Sequence, residues 1–135
     1  MRTMALDLGS KYIGIALSDT LGMIARPLTM IRRTSRVDDF TTYRQLISDH
    51  QVQTIVVGLP FNMDGTEGKQ AQWVRDYIQA FSQTIDIPII LWDERLTTET
   101  AAAILKENMK QPTKKNINAV AAAVILQSYL DANST

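Results

Sequence analysis

Short apolar runs, each closed by glycine, proline or an acidic residue, alternate along this chain with stretches in which apolar residues recur every three to four positions. The first pattern predicts strands and the second amphipathic helices. Met4 to Asp7, closed by Gly9, and Ile13 to Leu17, closed by Ser18 and Asp19, read as two strands joined by a tight Gly-Ser-Lys connection, a hairpin. A third strand is expected at Leu28 to Ile31, directly after Pro27, with a polar exit through Arg32, Arg33, Ser35 and Arg36. From Asp38 to His50, the residues Phe40, Tyr43, Leu46 and Ile47 fall at helical spacing, and Ser35 and Asp38 are N-cap candidates. Thr54 to Val57 is a β-branched run without a polar face, as expected of a strand covered on both sides, and it ends at Gly58-Leu59-Pro60. The stretch from Phe61 to Lys69 reads as a loop, and long loops after buried strands tend to carry function. Trp73, Val74, Tyr77, Ile78 and Phe81 share one face of a helix over Gln70 to Phe81. Ile87 to Trp92 is the next strand and runs straight into Asp93-Glu94-Arg95. An alanine-rich helix from Thr97 or Thr98 to Met109, a basic proline-containing loop from Lys110 to Asn116, and a last helix from Ile117 to about Asp131 complete the chain.

The order is three strands, helix, strand, helix, strand, helix, helix. Helices between the later strands require crossovers and parallel pairing, whereas the opening hairpin is antiparallel. The expected fold is therefore α/β, a mixed sheet with helices on both faces. There is no internal repeat, and 135 residues fit one ordinary domain, which excludes a two-lobed enzyme.

Composition narrows the chemistry. With 45% hydrophobic and 21% charged residues the chain is expected to bury a core, so disorder is excluded. Fourteen basic and fourteen acidic side chains cancel, so any polyanion must be met by a local patch. The absence of cysteine removes disulfides, zinc-thiolate sites and thiol catalysis. The single histidine, His50, argues against a serine-type triad and reads as a residue at a helix end. The longest apolar run, Ala119 to Leu126, falls far short of the roughly 18 residues that span a bilayer, and Asp7 interrupts any export signal. Residence in the cytoplasm, away from membranes, is the expectation.

Acidic residues at the ends of buried strands are the main anomaly. Asp7 closes one apolar run and Asp93 with Glu94 closes another. Ligands of open α/β sheets collect at strand ends, so Asp7 and Glu94 are expected near one another, at the ends of adjacent strands. Close carboxylates repel unless they share a proton or a cation, and hard oxygen ligands select Mg²⁺ or Mn²⁺. The same residues also have a structural use, with Asp7 capping a turn and Glu94 pairing with Arg95. Asp7-Leu8-Gly9-Ser10-Lys11 through Gly14 suits close approach of a phosphate, and Gly58, Pro60, Asn62, Asp64 and Gly65 suit a turn. The basic clusters are Arg26, Arg32, Arg33 and Arg36 near the third strand, and Lys110, Lys114 and Lys115 before the last helix.

Taken in order, Leu6 to Gly14 with Ala16 to Asp19, Val57-Gly58-Leu59-Pro60 with Asn62 to Gly65, Asp93-Glu94-Arg95-Leu96-Thr97-Thr98, and Ala121 to Leu130 resemble the pre-16S rRNA nuclease family, a bacterial group also described as Holliday-junction-resolvase-like. The resemblance covers nearly the whole chain. It implies an RNase H-like fold with a five-stranded mixed sheet, one nuclease domain over residues 1–135, and metal-dependent phosphodiester hydrolysis that trims the 5′ end of the precursor. The implied cofactor is Mg²⁺ or Mn²⁺, and the implied partner is pre-16S rRNA or a ribosomal particle. The chain is expected to act as a monomer or weak homodimer. In such nucleases carboxylates hold two cations, which needs neither histidine nor cysteine.

Carried over residue by residue, Asp7 matches the first metal ligand and Asp93-Glu94 the second acidic motif. Strand alternation favours Glu94 as ligand with Asp93 supporting the turn and Arg95 facing phosphate or bracing the site. Lys11, Arg32, Arg33, Lys114 and Lys115 are the candidate nucleic-acid contacts. The third catalytic position, an aspartate in the family pattern, is Asn118 here. An amide offers a neutral oxygen, and one missing charge about 4 Å from a divalent ion, at an effective dielectric near 20, is worth several kcal/mol. Two other readings stay open. One is a nuclease for branched DNA. The other is an RNA- or ribosome-binding module that kept the fold and lost the chemistry at Asn118. The phosphate loop of actin-like sugar kinases is also similar to the first motif, but those enzymes need two lobes.

Overall fold

The computed structural model describes residues 2–97 and 117–133. Its strands are β1 (Arg2–Leu8), β2 (Tyr12–Ser18), β3 (Ala25–Arg32), β4 (Val52–Leu59) and β5 (Ile89–Asp93). Its helices are α1 (Arg36–His50), α2 (Lys69–Ser82) and α3 (Ile117–Asn133), and a 3-10 turn covers Glu94–Leu96. The strands form one sheet in the order β3-β2-β1-β4-β5. β1 and β2 pair antiparallel, as do β2 and β3, while β4 runs parallel to β1 and β5 parallel to β4. The mixed sheet and its opening hairpin are thus those expected from the element order.

Several boundaries differ from the sequence pattern, each for a local reason. β3 begins at Ala25 and contains Pro27 instead of starting after it. It is an edge strand, where a missing N–H is tolerated, and its pairing with β2 shifts register beside the Ala16–Pro27 pair. β5 starts at Ile89, two residues later than expected, because Pro88 still contributes its carbonyl to the Ile55 N–H but has no N–H of its own. α1 starts at Arg36 because Ser35 is the cap, its hydroxyl accepting from the Asp38 N–H at 3.1 Å. His50 is the last residue of α1, half-buried, as expected. The helix expected up to Met109 and the basic loop from Lys110 to Asn116 lie outside the described residues, apart from Thr97, which follows the 3-10 turn.

Strand alternation divides the core into two unlike faces. Met4, Leu6, Ile13, Ile15, Ile55 and Val57 pack with Phe40 and Tyr43 of α1 and with Val74, Tyr77 and Phe81 of α2. Ala5, Ala16 and Val56 pack on the other face against Ala122, Ala123, Ile125 and Leu126 of α3. Large side chains hold α1 and α2 away from the sheet, whereas small ones let α3 lie directly on it. Gly14 marks the closest approach, since a Cβ there would overlap the main-chain carbonyl of Asn118.

A buried polar network joins the first two helices. The Tyr77 hydroxyl donates to Asp39 Oδ2 at 2.8 Å and lies 2.9 Å from the Tyr43 hydroxyl, while Asp39 Oδ1 accepts from the Thr34 N–H at 3.0 Å. Burial, above all, pushes both phenol pKa values up, so the rings stay protonated donors. Trp73 stacks on Tyr77, and the Arg33 guanidinium lies 4.3 Å from the centre of the Trp73 ring. Arg33 also donates to the Gly9 carbonyl at 3.3 Å, which ties the β1–β2 turn to α2.

Candidate functional site

Asp7, the penultimate residue of β1, is half-buried and stands directly opposite Gly14 of β2. Alternation from Ala5 places it on the α3 face of the sheet. Glu94 opens the 3-10 turn after β5 and is also half-buried. The two do not come from adjacent strands, contrary to the sequence expectation, because β4 lies between β1 and β5. Main chains two strands apart are separated by about 9.5 Å. The side chains close this gap over Gly58, one residue beyond the Leu6–Val57 pair and itself paired with Trp92. A Cβ on Gly58 would stand 2.7 Å from Glu94 Oε1 and 2.7 Å from Ile125 Cδ1. The glycine is therefore the floor over which the second carboxylate reaches.

Both carboxylates open into one cleft of about 370 Å³, walled by Thr97 and by Ala121, Val124 and Ile125 of α3. Burial raises the Asp7 pKa. Burial first, then the charges of Asp7 and Asp93, pushes the Glu94 carboxyl up to about 6. Among the described residues no hydrogen-bond donor or cation is paired with either group. Two half-buried anions thus repel each other at the mouth of an apolar-walled cleft. No cluster of three or more acidic or histidine side chains accompanies them among the described residues.

The turn that carries Glu94 is braced from both sides. Asp93 accepts from the Arg95 main-chain N–H at 2.9 Å and is gripped by the Arg95 guanidinium, with Nη2 2.7 Å from Oδ2. This grip holds the Asp93 carboxyl below the usual carboxylate range. Arg95 lies over the Phe61 ring at 5.0 Å, so it links the turn to the β4–α2 loop. On the α3 side the Ser128 hydroxyl donates to the Leu96 carbonyl at 2.8 Å and accepts from Trp92 Nε1 at 3.2 Å. Adjacent acidic residues have parted: Asp93 is engaged by its neighbour, and Glu94 alone turns to Asp7.

Asn118 sits in the first turn of α3, its main chain against Gly14, the cross-strand partner of Asp7. Its amide Nδ2 donates to Met30 Sδ at 2.9 Å, on the β3 side of Gly14, and it is not part of the cleft wall. Pro60 and Asn62 lie in the loop after β4. Asn62 is used by the turn, its N–H donating to the Thr66 carbonyl at 2.8 Å and its Nδ2 to Thr66 Oγ1 at 3.0 Å. Of the basic candidates, Lys11 and Arg32 are exposed, whereas Arg33 is half-buried in the contacts with Trp73 and Gly9. Arg36 is paired with Asp76 at 2.8 Å. Lys114 and Lys115 lie outside the described residues. Sequence reasoning missed Thr97, Val124 and Ile125 as cleft walls and Gly58 as the floor. The available signal was that Gly58 shares the parity of Val56, on the face where the small residues Ala5 and Ala16 admit α3.

A five-stranded mixed sheet with carboxylates at its strand ends and one helix laid close on that face defines an α/β protein of the RNase H-like class. The fold is similar to that of Thermus thermophilus RuvC, with a TM-score of 0.68 at 13% identity over 98% of this chain and 95% of the other. The profile of RuvX, described as Holliday junction resolvase, matches residues 1–132, and the chain belongs to that family. A relative from Thermoanaerobacter pseudethanolicus named pre-16S rRNA nuclease is 47% identical, the match covering 97% of this chain and 96% of the relative. A protein of the same name from Desulforamulus reducens is 46% identical over 99% of both. The resemblance read from the four motifs is thereby established.

Proposed function

We propose that this chain is a metal-dependent endonuclease that hydrolyses phosphodiester bonds in RNA, trimming the 5′ end of pre-16S rRNA in the cytoplasm as a single nuclease domain. The observation that carries the reading is the pair of Asp7 and Glu94, unpaired among the described residues, facing one cleft in a protein of a nuclease family. Their donor set fits a hard cation, because Mg²⁺ is commonly held by one or two carboxylates, with water and substrate phosphate completing the shell. Mn²⁺ suits the same oxygen ligands. When bound, the cation supplies charge neutralisation at the phosphate and activation of water.

The side chains divide the remaining work. Asp7 and Glu94 hold the cation, Asp93 and Arg95 fix the turn that aims Glu94, and Gly58 leaves room for it. Asn118, whose amide donates to Met30 outside the cleft wall, brings no charge to the site, so the pull on a cation there is weaker than an aspartate at this position would provide. The walls from α3 keep water away from the buried side of the carboxylates. Lys11 and Arg32 lie exposed at the same end of the sheet and attract the phosphate backbone. Cleavage of branched DNA is the second reading, favoured by the family's description as a resolvase.

The test is a cleavage assay with Mg²⁺ or Mn²⁺ on precursor rRNA and on a four-way DNA junction, beside an Asp7→Asn control. Cleavage of the precursor that disappears in EDTA and in the control supports the RNA reading. Cleavage confined to the junction supports the DNA reading, and binding without cleavage of either substrate points to a module without chemistry.

A further inference from the structure

The sheet face that carries Asp7 ends in an aromatic side chain that has no partner among the described residues. Tyr12 opens β2 and pairs directly with Arg32, the last residue of β3. Directly opposed residues project to the same face. Tyr12 also shares the parity of Gly14, the partner of Asp7, so Tyr12, Arg32 and Asp7 all stand on the α3 side. Two residues along β2 and one step across to β1 separate Tyr12 from Asp7, about 8 Å between Cα atoms.

Tyr12 is 39% exposed, and among the described residues no side chain stacks on its ring or bonds its hydroxyl. The other described tyrosines are engaged, Tyr43 and Tyr77 in the buried network and Tyr129 edge-on to Trp92. Its main chain, in contrast, is held firmly. The Tyr12 carbonyl accepts from the Gly9 N–H at 3.0 Å, and the Lys11 carbonyl next to it accepts from the Arg33 N–H at 2.8 Å. Exposed Arg32 stands beside it as its cross-strand partner. A partly exposed aromatic ring on a firmly held main chain, beside a cation, suits the stacking of an unpaired base next to its phosphate.

We propose that Tyr12 is the stacking platform for an unpaired base next to the phosphate addressed by Asp7 and Glu94, with Arg32 on the adjoining phosphate, so that the site takes a single-stranded segment. The inference rests on the nuclease reading and adds the strand state of its substrate. A duplex covers its base faces with neighbouring pairs and offers none to the ring.

The experiment titrates a short labelled single-stranded RNA, and the same sequence as a duplex, with the wild-type chain and with Tyr12→Ala, Tyr12→Leu and Tyr12→Phe, using Ca²⁺ in place of Mg²⁺. Tyr12→Ala and Tyr12→Leu are expected to weaken single-strand binding about tenfold, the loss of one base–aromatic stack. Tyr12→Phe retains it, and duplex binding responds to none of the three. Photo-cross-linking of a 5-iodouridine-substituted strand to the wild-type chain, read by peptide mass, should mark Tyr12 without any substitution. Unchanged single-strand binding in Tyr12→Leu, or a wild-type preference for the duplex, overturns the proposal and leaves the nuclease reading intact. A folded wild type that binds and cleaves neither nucleic acid overturns both.

Discussion

Gly58 and Glu94 are fitted to each other: a Cβ on the glycine would stand 2.7 Å from Oε1 of the glutamate. Because Gly58 belongs to β4, between β1 and β5, this fit is what lets Glu94 reach toward Asp7 across an intervening strand. Gly58→Ala should push Glu94 out of the cleft and press on Ile125. The expected outcome is a loss of cleavage and of Mn²⁺ affinity, with a destabilisation of about 1–3 kcal/mol from overpacking. Calorimetric titration and urea unfolding of the same preparation measure the two effects separately.

Asn118→Asp adds a charge at nearly constant shape beside the site. If cation binding is limited by the missing charge, Mn²⁺ should bind more tightly and cleavage should rise, each tenfold gain in rate corresponding to about 1.4 kcal/mol. The melting temperature without metal should change little, since the residue lies half-buried in the first turn of a helix, where an aspartate is favoured by the helix dipole. An unchanged metal affinity and rate would show that the Asn118 side chain, which donates to Met30, plays no part in the site.

The pH dependence follows from the raised carboxyls. Glu94 is shifted up from 4.5 to about 6 by burial and by the charges of Asp7 and Asp93, so the folded chain binds this proton more tightly than the unfolded chain does. Its contribution to the stability of the metal-free protein is full below 4.5 and is lost as pH rises through about 6. A cation competes for the deprotonated pair, so Mn²⁺ affinity and cleavage should rise over the same window. Thermal melts across that range should show a downward slope in the metal-free wild type that Glu94→Gln flattens. An equal slope in both proteins would assign the pH response to other groups.

Arg32 and Arg33 are neighbours with different work. Arg32→Ala should leave stability nearly unchanged and reduce the salt dependence of single-strand binding, with the logarithmic slope falling by about 0.7 for each phosphate that is no longer neutralised. Arg33→Ala should lower the melting temperature, because its guanidinium covers Trp73 and holds the Gly9 carbonyl. Salt titrations and melts of the two variants separate the roles, and a matching salt response in Arg33→Ala would place that side chain on the nucleic acid as well.

The hairpin, the β-branched strand through Thr54 to Val57, the capped helix after Ser35 and the final helix were all legible along the chain, because alternation, helical spacing and capping are local properties of sequence. The same local rule favoured one of Asp93 and Glu94 for the site; in the fold Arg95 grips Asp93 while Glu94 lines the cleft. Strand order is not local. That β4 separates β1 from β5, that Gly58 is therefore the gap through which Glu94 approaches Asp7, and that Asn118 rests its main chain on Gly14 depend on residues far apart in sequence meeting across the sheet. Sequence alone determined which carboxylates end strands and which faces are apolar. Tertiary packing decided which of them share a cleft, because only the assembled sheet and the close seat of α3 bring two like charges together with no partner among the described residues to neutralise them.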